Sequence, residues 1–268
     1  MDPAQLPGRP CAVPHLSAAV TLSHARRHDR GDVRDPPLQV QRILGGRSAV
    51  PVWGNELAGV TWQIGDGADR EFLKVGPVHP EFQVFSDVER LRWLQTFVPV
   101  PAVVDAGVRD GVGWLWTEGL PGASAVDPDL MAEPEEAVDA LGRALRRFHD
   151  AVPLTGCPFT WSVAARGGAP DGRPISALDP VVCHGDACTP NTLLARKDGR
   201  LECTGYVDVG MCGVADRWAD LAPALMSLAW NLPAPADRSD WTDRFLRAYG
   251  IERNAEKLSF YTDLWNAG

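Results

Sequence analysis

The chain has 268 residues, 45% of them hydrophobic, and carries a formal net charge of −9 at pH 7. This length suffices for one large domain or two lobes, and this composition suffices for a buried core. The negative charge argues against a nucleic-acid-binding protein and favours a cationic ligand through long-range attraction. The longest largely apolar run, residues 221–230, is too short to cross a bilayer.

The first 35 residues are rich in Pro, Arg, Asp and His and show no sustained period, which predicts a disordered tail. They lack the basic start of a secretory signal, and Pro14 interrupts their apolar stretch. The six cysteines show no C-x-x-C spacing, which favours free thiols in a chain of this size. We therefore expect a cytoplasmic protein that binds neither a membrane nor nucleic acid.

The first regular pattern lies between residues 52 and 75. Residues 60–64 and 71–75 are strand-like and are separated by a short glycine turn, while Gly54 and Gly59 precede the first strand. This pattern predicts antiparallel strands and a glycine-bearing loop, whose backbone N–H groups can cover nucleotide phosphates. The glycines form neither G-x-G-x-x-G nor a P-loop, so the loop alone does not identify a nucleotide site.

Lys74 lies at the centre of an apolar strand. A buried, unpaired ammonium is costly, so a lysine at this position needs a reason. Phosphate binding is one reason, and the alternative is an edge strand with Lys74 facing solvent. A predicted helix at residues 86–97 follows, and it offers Asp87 and Glu89 as candidate acidic partners of Lys74.

The middle of the chain predicts a further strand and two helices. Residues 114–118 are strand-like and lead into a predicted linker at 119–122, whose backbone groups can bind adenine. Residues 134–150 predict a helix, with a proline in the first turn, acidic residues early and basic residues late. His149, at the end of that helix, is most simply a capping or packing residue. Residues 214–230 predict another helix, which Pro223 should kink or divide.

The most specific pattern begins at His184-Gly185-Asp186. Asn191 stands five residues after the aspartate, and Asp208 opens a later Asp-x-Gly. Protein kinases carry these elements in the same order. In phosphoryl transfer an aspartate accepts the proton of the attacking hydroxyl, and oxygen ligands hold magnesium on the nucleotide phosphates. The pattern therefore predicts a phosphotransferase that uses ATP and Mg²⁺.

The residues between these groups predict a β-hairpin. Residues 192–195 and 201–207 read as strands, and the Asp-Gly pair at 198–199 is a strong two-residue turn signal. Such a hairpin would bring Asn191 and Asp208 together, as two ligands of one magnesium ion require. The alternative is a turn-rich hairpin on which both side chains are merely solvated.

Four segments closely resemble aminoglycoside 3′-phosphotransferases and their actinobacterial relatives, namely NELAGVTW at 55–62, CPF at 157–159, VVCHGDACTPNTLL at 181–194 and GYVDVGMCGVADRWADLA at 205–222. The likeness extends from about residue 36 to the C-terminus. It implies an α+β, two-lobed protein-kinase-like fold, with a small antiparallel-sheet N-lobe at 36–118 and a mainly helical C-lobe at 119–268. It also implies direct transfer of the ATP γ-phosphoryl group to a hydroxyl of an aminoglycoside antibiotic, which confers resistance.

The same resemblance assigns roles to individual residues. Asp186 becomes the catalytic base, and Asn191 and Asp208 become the magnesium ligands. The other assigned residues are Lys74 on the α- and β-phosphates, Asp87 as its acidic partner with Glu89 as the alternative, Glu118 and Gly119 as backbone contacts to adenine, and His184 and Asp220 as braces of the catalytic loop.

Four departures from the family concern the phosphates and the acceptor. Leu57 replaces a phosphate-loop serine, and Met211 replaces an arginine that often follows the Asp-x-Gly. The C-terminal segment is less acidic than usual, which leaves Asp263 and the terminal carboxylate of Gly268 to contact an aminated sugar. Only residues 158–183 separate Cys157 from His184, where relatives carry a longer stretch, so we expect an open acceptor cleft.

The sequence thus predicts an aminoglycoside kinase with a cationic small-molecule substrate. A small-molecule kinase of other specificity is the nearest alternative. A pseudokinase that binds nucleotide without turnover is the second alternative, prompted by Leu57, Met211 and the shortened segment. The intact set of Asp186, Asn191 and Asp208 favours catalysis, because a protein without turnover has no need of these groups.

Overall fold

The computed structural model describes residues 38–54, 58–80, 82–163, 178–232 and 240–267. The predicted tail at 1–35 and the predictions for Leu57 and Gly268 therefore lie outside the described residues.

A five-stranded antiparallel sheet organises the N-terminal part, with strand order β1-β2-β3-β5-β4. The strands are β1 (Ala49–Gly54), β2 (Val60–Ile64), β3 (Glu71–Pro77), β4 (Val103–Arg109) and β5 (Val112–Glu118). Helix α1 (Leu38–Leu44) precedes β1, and helix α2 (Val84–Leu94) connects β3 to β4 and packs against β4 and β5.

One face of this sheet is buried because apolar residues alternate along its strands. Its core consists of Val40, Leu44, Ala49, Trp62, Ile64, Leu73, Val75 and Trp116. Leu73 and Val75 belong to this core, so Lys74 between them points to the opposite face, where it is half-buried. The predicted strand around Lys74 is confirmed as β3. Because β3 lies between β2 and β5, the alternative of an edge strand is wrong.

The C-terminal part is mainly helical. Its helices are α3 (Pro128–Met131), α4 (Pro134–Ala151), α5 (Trp218–Asn231), α6 (Trp241–Tyr249) and α7 (Ala255–Ala267). Two small sheets accompany them, with strand orders β6-β8-β9 and β10-β7. These strands are β6 (Ala123–Ser124), β7 (Pro180–Cys183), β8 (Thr192–Lys197), β9 (Arg200–Tyr206) and β10 (Gly213–Asp216). The predicted combination of an antiparallel N-terminal sheet and a helical C-terminal part is confirmed.

The described residues fall into two compact units, one ending at Pro121 and the other beginning at Gly122. The lobe boundary that the sequence predicts between residues 118 and 119 stays a prediction. Helix α4 packs against α6 in the second unit, and α5 packs against α7. Gly142 of α4 allows this close approach, because a Cβ there would lie 2.6 Å from the carbonyl oxygen of Phe245.

The predicted hairpin is present as β8 and β9. Their register pairs Lys197 with Arg200, which leaves Asp198 and Gly199 as a two-residue turn. Both turn residues have positive φ, 50° and 80°, as the favoured hairpin turns with an Asp-Gly sequence require. Local turn chemistry thus sets the register as far as Leu194, where a β-bulge shifts it by one residue before Thr192 pairs with Tyr206.

The prediction of a helix at 214–230 is wrong in its first turn. Residues 213–216 form strand β10, which pairs antiparallel with β7, and the helix begins at Trp218. Pairing with a distant strand outweighs local helical spacing here. Helix α5 then continues through Pro223 as one element rather than dividing there.

The described cysteines test the free-thiol prediction. Cys157, Cys183, Cys203 and Cys212 are free. The prediction is wrong at Cys188, which is disulfide-bonded, because chain size and the lack of C-x-x-C spacing argue only against disulfides in general. Within the described ranges, no helix has both the length and the apolar character needed to span a membrane.

Candidate active site

The His-Gly-Asp segment forms a tight loop after β7. Gly185 has φ +90°, and a Cβ at this position would lie 2.2 Å from the backbone oxygen of Met211. Only glycine satisfies both the left-handed backbone and this close approach. Asp186 follows on the same loop and is half-buried. The glycine therefore fixes the path of the chain directly before the predicted catalytic base.

A buried carboxylate holds the start of this loop. Asp220, in the first turn of α5, has no exposed surface. It accepts the backbone N–H of His184 at 2.6 Å and that of Gly185 at 2.9 Å. A third donor is His149 Nε2, at 2.9 Å. Hydrogen bonds to an ionised acceptor are the stronger class, so Asp220 is well placed to brace the loop.

The His184 side chain supports the next residue. Its Nδ1 accepts the backbone N–H of Asp186 at 3.3 Å, which requires an unprotonated nitrogen. Burial lowers the pKa of His184 below its ordinary value, although the nearby Asp220 carboxylate opposes this shift. A neutral imidazole at neutral pH can therefore keep accepting this hydrogen bond.

Asn191 joins the loop to the hairpin. Its Nδ2 donates to the carbonyl oxygen of Asp186 at 3.0 Å, and its backbone carbonyl accepts the N–H of Val207 at 2.9 Å. The second bond aligns Asn191 with the residue preceding Asp208. Because the amide nitrogen faces Asp186, the amide oxygen remains as the acceptor end of the side chain.

Asp208 lies two residues after the end of β9, with an exposed side chain and φ +59°. Aspartate tolerates this left-handed backbone better than most residues, and such conformations are common at functional sites. A carboxylate oxygen from Asp208 and an amide oxygen from Asn191 are the hard ligands that magnesium prefers. The donor set present in the C-terminal unit therefore fits the predicted ion.

In the N-terminal unit, the predicted phosphate-binding lysine is half-buried. Lys74 Nζ lies over the ring of Phe82, 5.0 Å from its centroid. The two candidate acidic partners differ in burial, since Asp87 is 6% exposed and Glu89 is exposed. A buried carboxylate needs a compensating partner and an exposed one does not. This difference favours Asp87 over Glu89 as the partner of Lys74.

The structure limits which backbone groups of Glu118 and Gly119 can contact adenine. The Glu118 N–H donates to Ala102 O at 2.9 Å, and the Gly119 N–H donates to Arg70 O at 2.8 Å. Both amide hydrogens are therefore engaged within the N-terminal unit. Any backbone contact from Glu118 or Gly119 to a base would have to come from their carbonyl oxygens, because each amide has one hydrogen to give.

The acceptor end of the site is described only in part. Asp263 lies on α7 and is exposed, as a side chain that contacts a cationic sugar must be. Gly268, with the terminal carboxylate, lies outside the described residues, and so does most of the shortened segment, residues 164–177. Met211, which replaces the family's arginine, is half-buried beside Gly185.

Sequence reasoning misses the groups behind Asp220. Position in the helix indicates only a capping or packing role for His149. In the structure its ring is buried and bonds both Asp220 and Tyr249. The position of His149 on the apolar face of α4 could have predicted that it is buried. Its partners could not have been predicted, because they lie 71 and 100 residues away in sequence.

Comparison with known proteins identifies the family. The model of a phosphotransferase enzyme family matches residues 56–171 and 168–261. An aminoglycoside 3′-phosphotransferase from Streptomyces fradiae is 33% identical over 230 residues, which cover 71% of this chain and 82% of the relative.

Solved structures agree with this match. The crystal structure of an aminoglycoside 3′-phosphotransferase of type VIII has a TM-score of 0.69 and 28% identity, covering 85% of this chain and 97% of that one. An aminoglycoside phosphotransferase from Streptomyces rimosus, in complex with ADP and streptomycin, has a TM-score of 0.64 and 25% identity, with coverages of 85% and 95%. The predicted two-lobed protein-kinase-like fold is confirmed, and the chain belongs to the phosphotransferase enzyme family that includes the aminoglycoside 3′-phosphotransferases.

Proposed function

We propose that this protein is an ATP-dependent aminoglycoside O-phosphotransferase that confers antibiotic resistance. The observation that carries the proposal is the arrangement around Asn191, which bonds the Asp186 carbonyl through its side chain and the Val207 N–H through its backbone. The loop that carries Asp186 and the chain that leads into Asp208 are thereby both hydrogen-bonded to Asn191, which supports our assignment of a base and two magnesium ligands to these three residues. Family membership supplies the acceptor class, because the relatives are named for aminoglycosides.

Asp186 is the group that we assign to the chemistry. The substrate hydroxyl attacks the γ-phosphorus in line, and its oxygen forms the new P–O bond while the bond to the β-phosphate bridging oxygen breaks. The hydroxyl proton passes to Asp186, and ADP leaves with the bonding electrons. No covalent phosphoenzyme is needed. The side chains therefore accelerate the reaction mainly by holding the base in position.

Asn191 and Asp208 are the residues that would hold Mg²⁺. The ion supplies charge neutralisation on the nucleotide phosphates when it is bound. Lys74 contacts the α- and β-phosphates, and Asp87 keeps its ammonium in place. The support for Asp87 is its burial, which contrasts with the exposure of Glu89.

For the nucleotide base, we assign the carbonyl groups of Glu118 and Gly119. Their amide hydrogens already bond Ala102 and Arg70. The Streptomyces rimosus phosphotransferase binds ADP, which supports a nucleotide site in this chain as well. ATP is accordingly the phosphoryl donor.

The acceptor is a cationic aminated sugar. The formal charge of −9 attracts such a molecule over long distances. Asp263 and the terminal carboxylate of Gly268 are the groups that we assign to its ammonium groups. The same negative charge disfavours nucleic acid as a partner, and we place the protein in the cytoplasm, where ATP is available.

The test is incubation of the purified protein with Mg-ATP and a panel of aminoglycosides that includes streptomycin. Mass spectrometry should detect a phosphate adduct, and fragmentation should locate the modified ring. Asp186→Asn should lose turnover by about a thousandfold or more while it keeps nucleotide binding, because only the proton acceptor is removed. Asp198→Asn, in the hairpin turn, is the matched control and should keep full activity.

Two results would overturn the proposal. Wild-type turnover in Asp186→Asn would refute the assignment of the base. Magnesium-dependent ATP binding without an adduct from any aminoglycoside would refute the acceptor class, and it would redirect the search to other hydroxyl acceptors or to a nucleotide-binding protein without turnover.

A further inference from the structure

A row of hydrogen bonds extends from the buried Asp220 away from the catalytic loop and towards the surface. His149 Nε2 lies 2.9 Å from Asp220 Oδ2, and His149 Nδ1 lies 2.7 Å from the Tyr249 hydroxyl. Arg217 Nη1 donates to the same hydroxyl at 2.9 Å, and Arg217 Nη2 donates to Asp179 at 2.8 Å. Four side chains thus separate the loop from the surface carboxylate of Asp179.

The ends of this row fix its hydrogen-bond directions when the His149 ring is neutral. The Asp220 carboxylate can only accept, so His149 Nε2 donates to it, and Arg217 can only donate, so the Tyr249 oxygen accepts from it and its one hydrogen can be directed to His149 Nδ1. With Nδ1 as an acceptor, His149 carries its hydrogen on Nε2 and donates it to Asp220. Burial raises the pKa of Tyr249 to about 12, although Arg217 opposes the shift, so the phenol keeps this hydrogen at neutral pH.

The same groups could be taken for a metal site. Ligand atoms of His149, Cys183 and Asp220 lie within 4.8 Å of one another and are buried. However, both ring nitrogens of His149 are already engaged, one with Asp220 and one with Tyr249. A neutral imidazole coordinates a metal through its free nitrogen, which this ring does not offer. Hydrogen bonding therefore accounts for the cluster.

Tyr249 is itself held in a fixed position. It ends helix α6, which packs tightly on α4 at Gly142, where a Cβ would lie 3.1 Å from the Tyr249 backbone nitrogen. Its side chain is buried, and the Arg146 and Arg217 guanidinium groups lie over its ring at 5.8 and 6.0 Å. The hydroxyl can therefore present a rigid donor to His149.

We propose that Tyr249, oriented by Arg217, is a positioning residue for the catalytic loop and acts through His149 and Asp220. The proposal rests on the phosphotransferase function assigned above. Loss of the hydroxyl leaves His149 Nδ1 without its donor and frees the ring to change tautomer or rotate. Asp220 then loses its fixed third donor, and its hold on the two amides that precede Asp186 weakens.

The test compares Tyr249→Phe with Tyr206→Phe. Tyr206 is also buried, and its hydroxyl donates one hydrogen bond of 2.8 Å to the Ala144 carbonyl, away from Asp220. Tyr249→Phe loses two hydrogen bonds, with His149 and with Arg217, whereas Tyr206→Phe loses the one to Ala144, so urea unfolding should show the larger loss of stability in Tyr249→Phe. Only the bonds of Tyr249 lead to the catalytic loop, so loop exchange and kcat, rather than stability, separate the two variants.

Two measurements distinguish positioning from a structural role. In Tyr249→Phe, amide exchange of a peptide covering residues 181–190 should be about fivefold faster than in Tyr206→Phe. Its kcat should fall about tenfold, with KM for ATP and for the aminoglycoside within about twofold of wild type. Tyr206→Phe should keep kcat within about twofold.

Equal exchange and equal kcat in the two variants would refute the proposal. The exchange measurement needs no turnover, so it decides the question even if the acceptor class proves wrong. If Tyr249→Phe does not fold, Arg217→Lys provides the second test, since it keeps the phenol and the charge but loses the planar donor. It should also accelerate exchange at residues 181–190, and unchanged exchange there would equally refute the proposal.

Discussion

The catalytic loop and the start of the predicted linker, residues 119 and 120, both depend on the geometry of their backbone groups, yet different surroundings hold them. In the C-terminal unit, Asp220 binds two loop amides from a position without exposed surface. In the N-terminal unit, half-buried Arg70 accepts the Gly119 N–H through its carbonyl at 2.8 Å and donates to the Leu120 carbonyl through its guanidinium.

This contrast has an energetic consequence. Removing one partner of a buried charged group costs about 3–5 kcal/mol, because the remaining groups stay buried without compensation. A hydrogen bond near solvent contributes about 0.5–1.5 kcal/mol, since water can replace the lost partner. We therefore expect the loop to tolerate almost no change and the linker to adjust, so that loop variants lower stability and kcat while linker variants alter nucleotide affinity.

The largest effect is expected from Asp220→Ala. This change leaves the His184 and Gly185 amides without their buried acceptor, and we expect a loss of about 3–5 kcal/mol in the free energy of unfolding. The matched control is Asp150→Ala. Asp150 forms an ion pair of 2.7 Å with Arg146, and its side chain is 57% exposed. That control should lose less than about 1 kcal/mol.

Urea unfolding of the two variants measures the difference directly. Equal losses would mean that burial of the carboxylate does not distinguish the two sites, and the contrast between loop and linker would then lose its energetic basis.

A smaller effect is expected from glycine substitutions. Gly185→Ala places a Cβ 2.2 Å from a backbone oxygen, and Gly119→Ala places one 2.6 Å from both the oxygen and the Cγ of Arg70. Displacement of Asp186 by about 1 Å should lower kcat about a hundredfold in Gly185→Ala. Gly119→Ala should instead raise KM for ATP several-fold, because the linker must move away from the Arg70 backbone carbonyl while the flexible Arg70 side chain gives way.

Gly199→Ala is the control for backbone strain alone. Gly199 has φ +80°, and a Cβ added there would have no neighbour within 4 Å, so the variant should lose about 1 kcal/mol of stability without a change in kcat or KM. A kcat loss in Gly119→Ala as large as that in Gly185→Ala would contradict the expected division between the two regions.

Local chemistry explains which parts of the fold and site could be predicted. The hairpin followed from the Asp-Gly pair at 198–199, whose positive φ values suit those residue types. That turn joins the two strands that lead to Asn191 and Asp208, so two candidate metal ligands could be assigned to one hairpin, whereas the β-bulge between Leu193 and Leu194 could not be read from the spacing. The apolar residues around Lys74 likewise predicted a strand there, and Leu73 and Val75 are buried in the core of the sheet.

Contacts between distant residues explain what could not be predicted. Strand β10 pairs with β7, which lies far earlier in the chain, and nothing in its own sequence distinguishes it from a helix start. The His149 ring binds partners 71 and 100 residues away, and the Gly119 amide binds a carbonyl on Arg70, the residue that precedes β3. Spacing within a segment carries no information about such partners.

The smallest effect is expected from Arg70→Met, which tests the linker side of the contrast. The substitution removes the guanidinium donors to Leu120 O and to Gly67 O, the latter at 2.9 Å, but it keeps the backbone carbonyl that accepts the Gly119 N–H. The linker therefore retains its backbone hydrogen bond and loses only the side-chain clamp. Loss of the half-buried, charge-assisted bond to Leu120 O corresponds to a rise of about three- to tenfold in KM for ATP.

Isothermal titration with ADP should show the same weakening in Arg70→Met, and this measurement does not depend on the acceptor. Arg92→Met, on the exposed face of α2, is the matched control and should leave nucleotide affinity unchanged. Unchanged affinity with a lowered kcat in Arg70→Met would mean that Arg70 influences the reaction step. The half-buried Arg70 would then act on turnover as the buried Asp220 does. Burial would no longer distinguish residues that determine nucleotide affinity from residues that determine kcat.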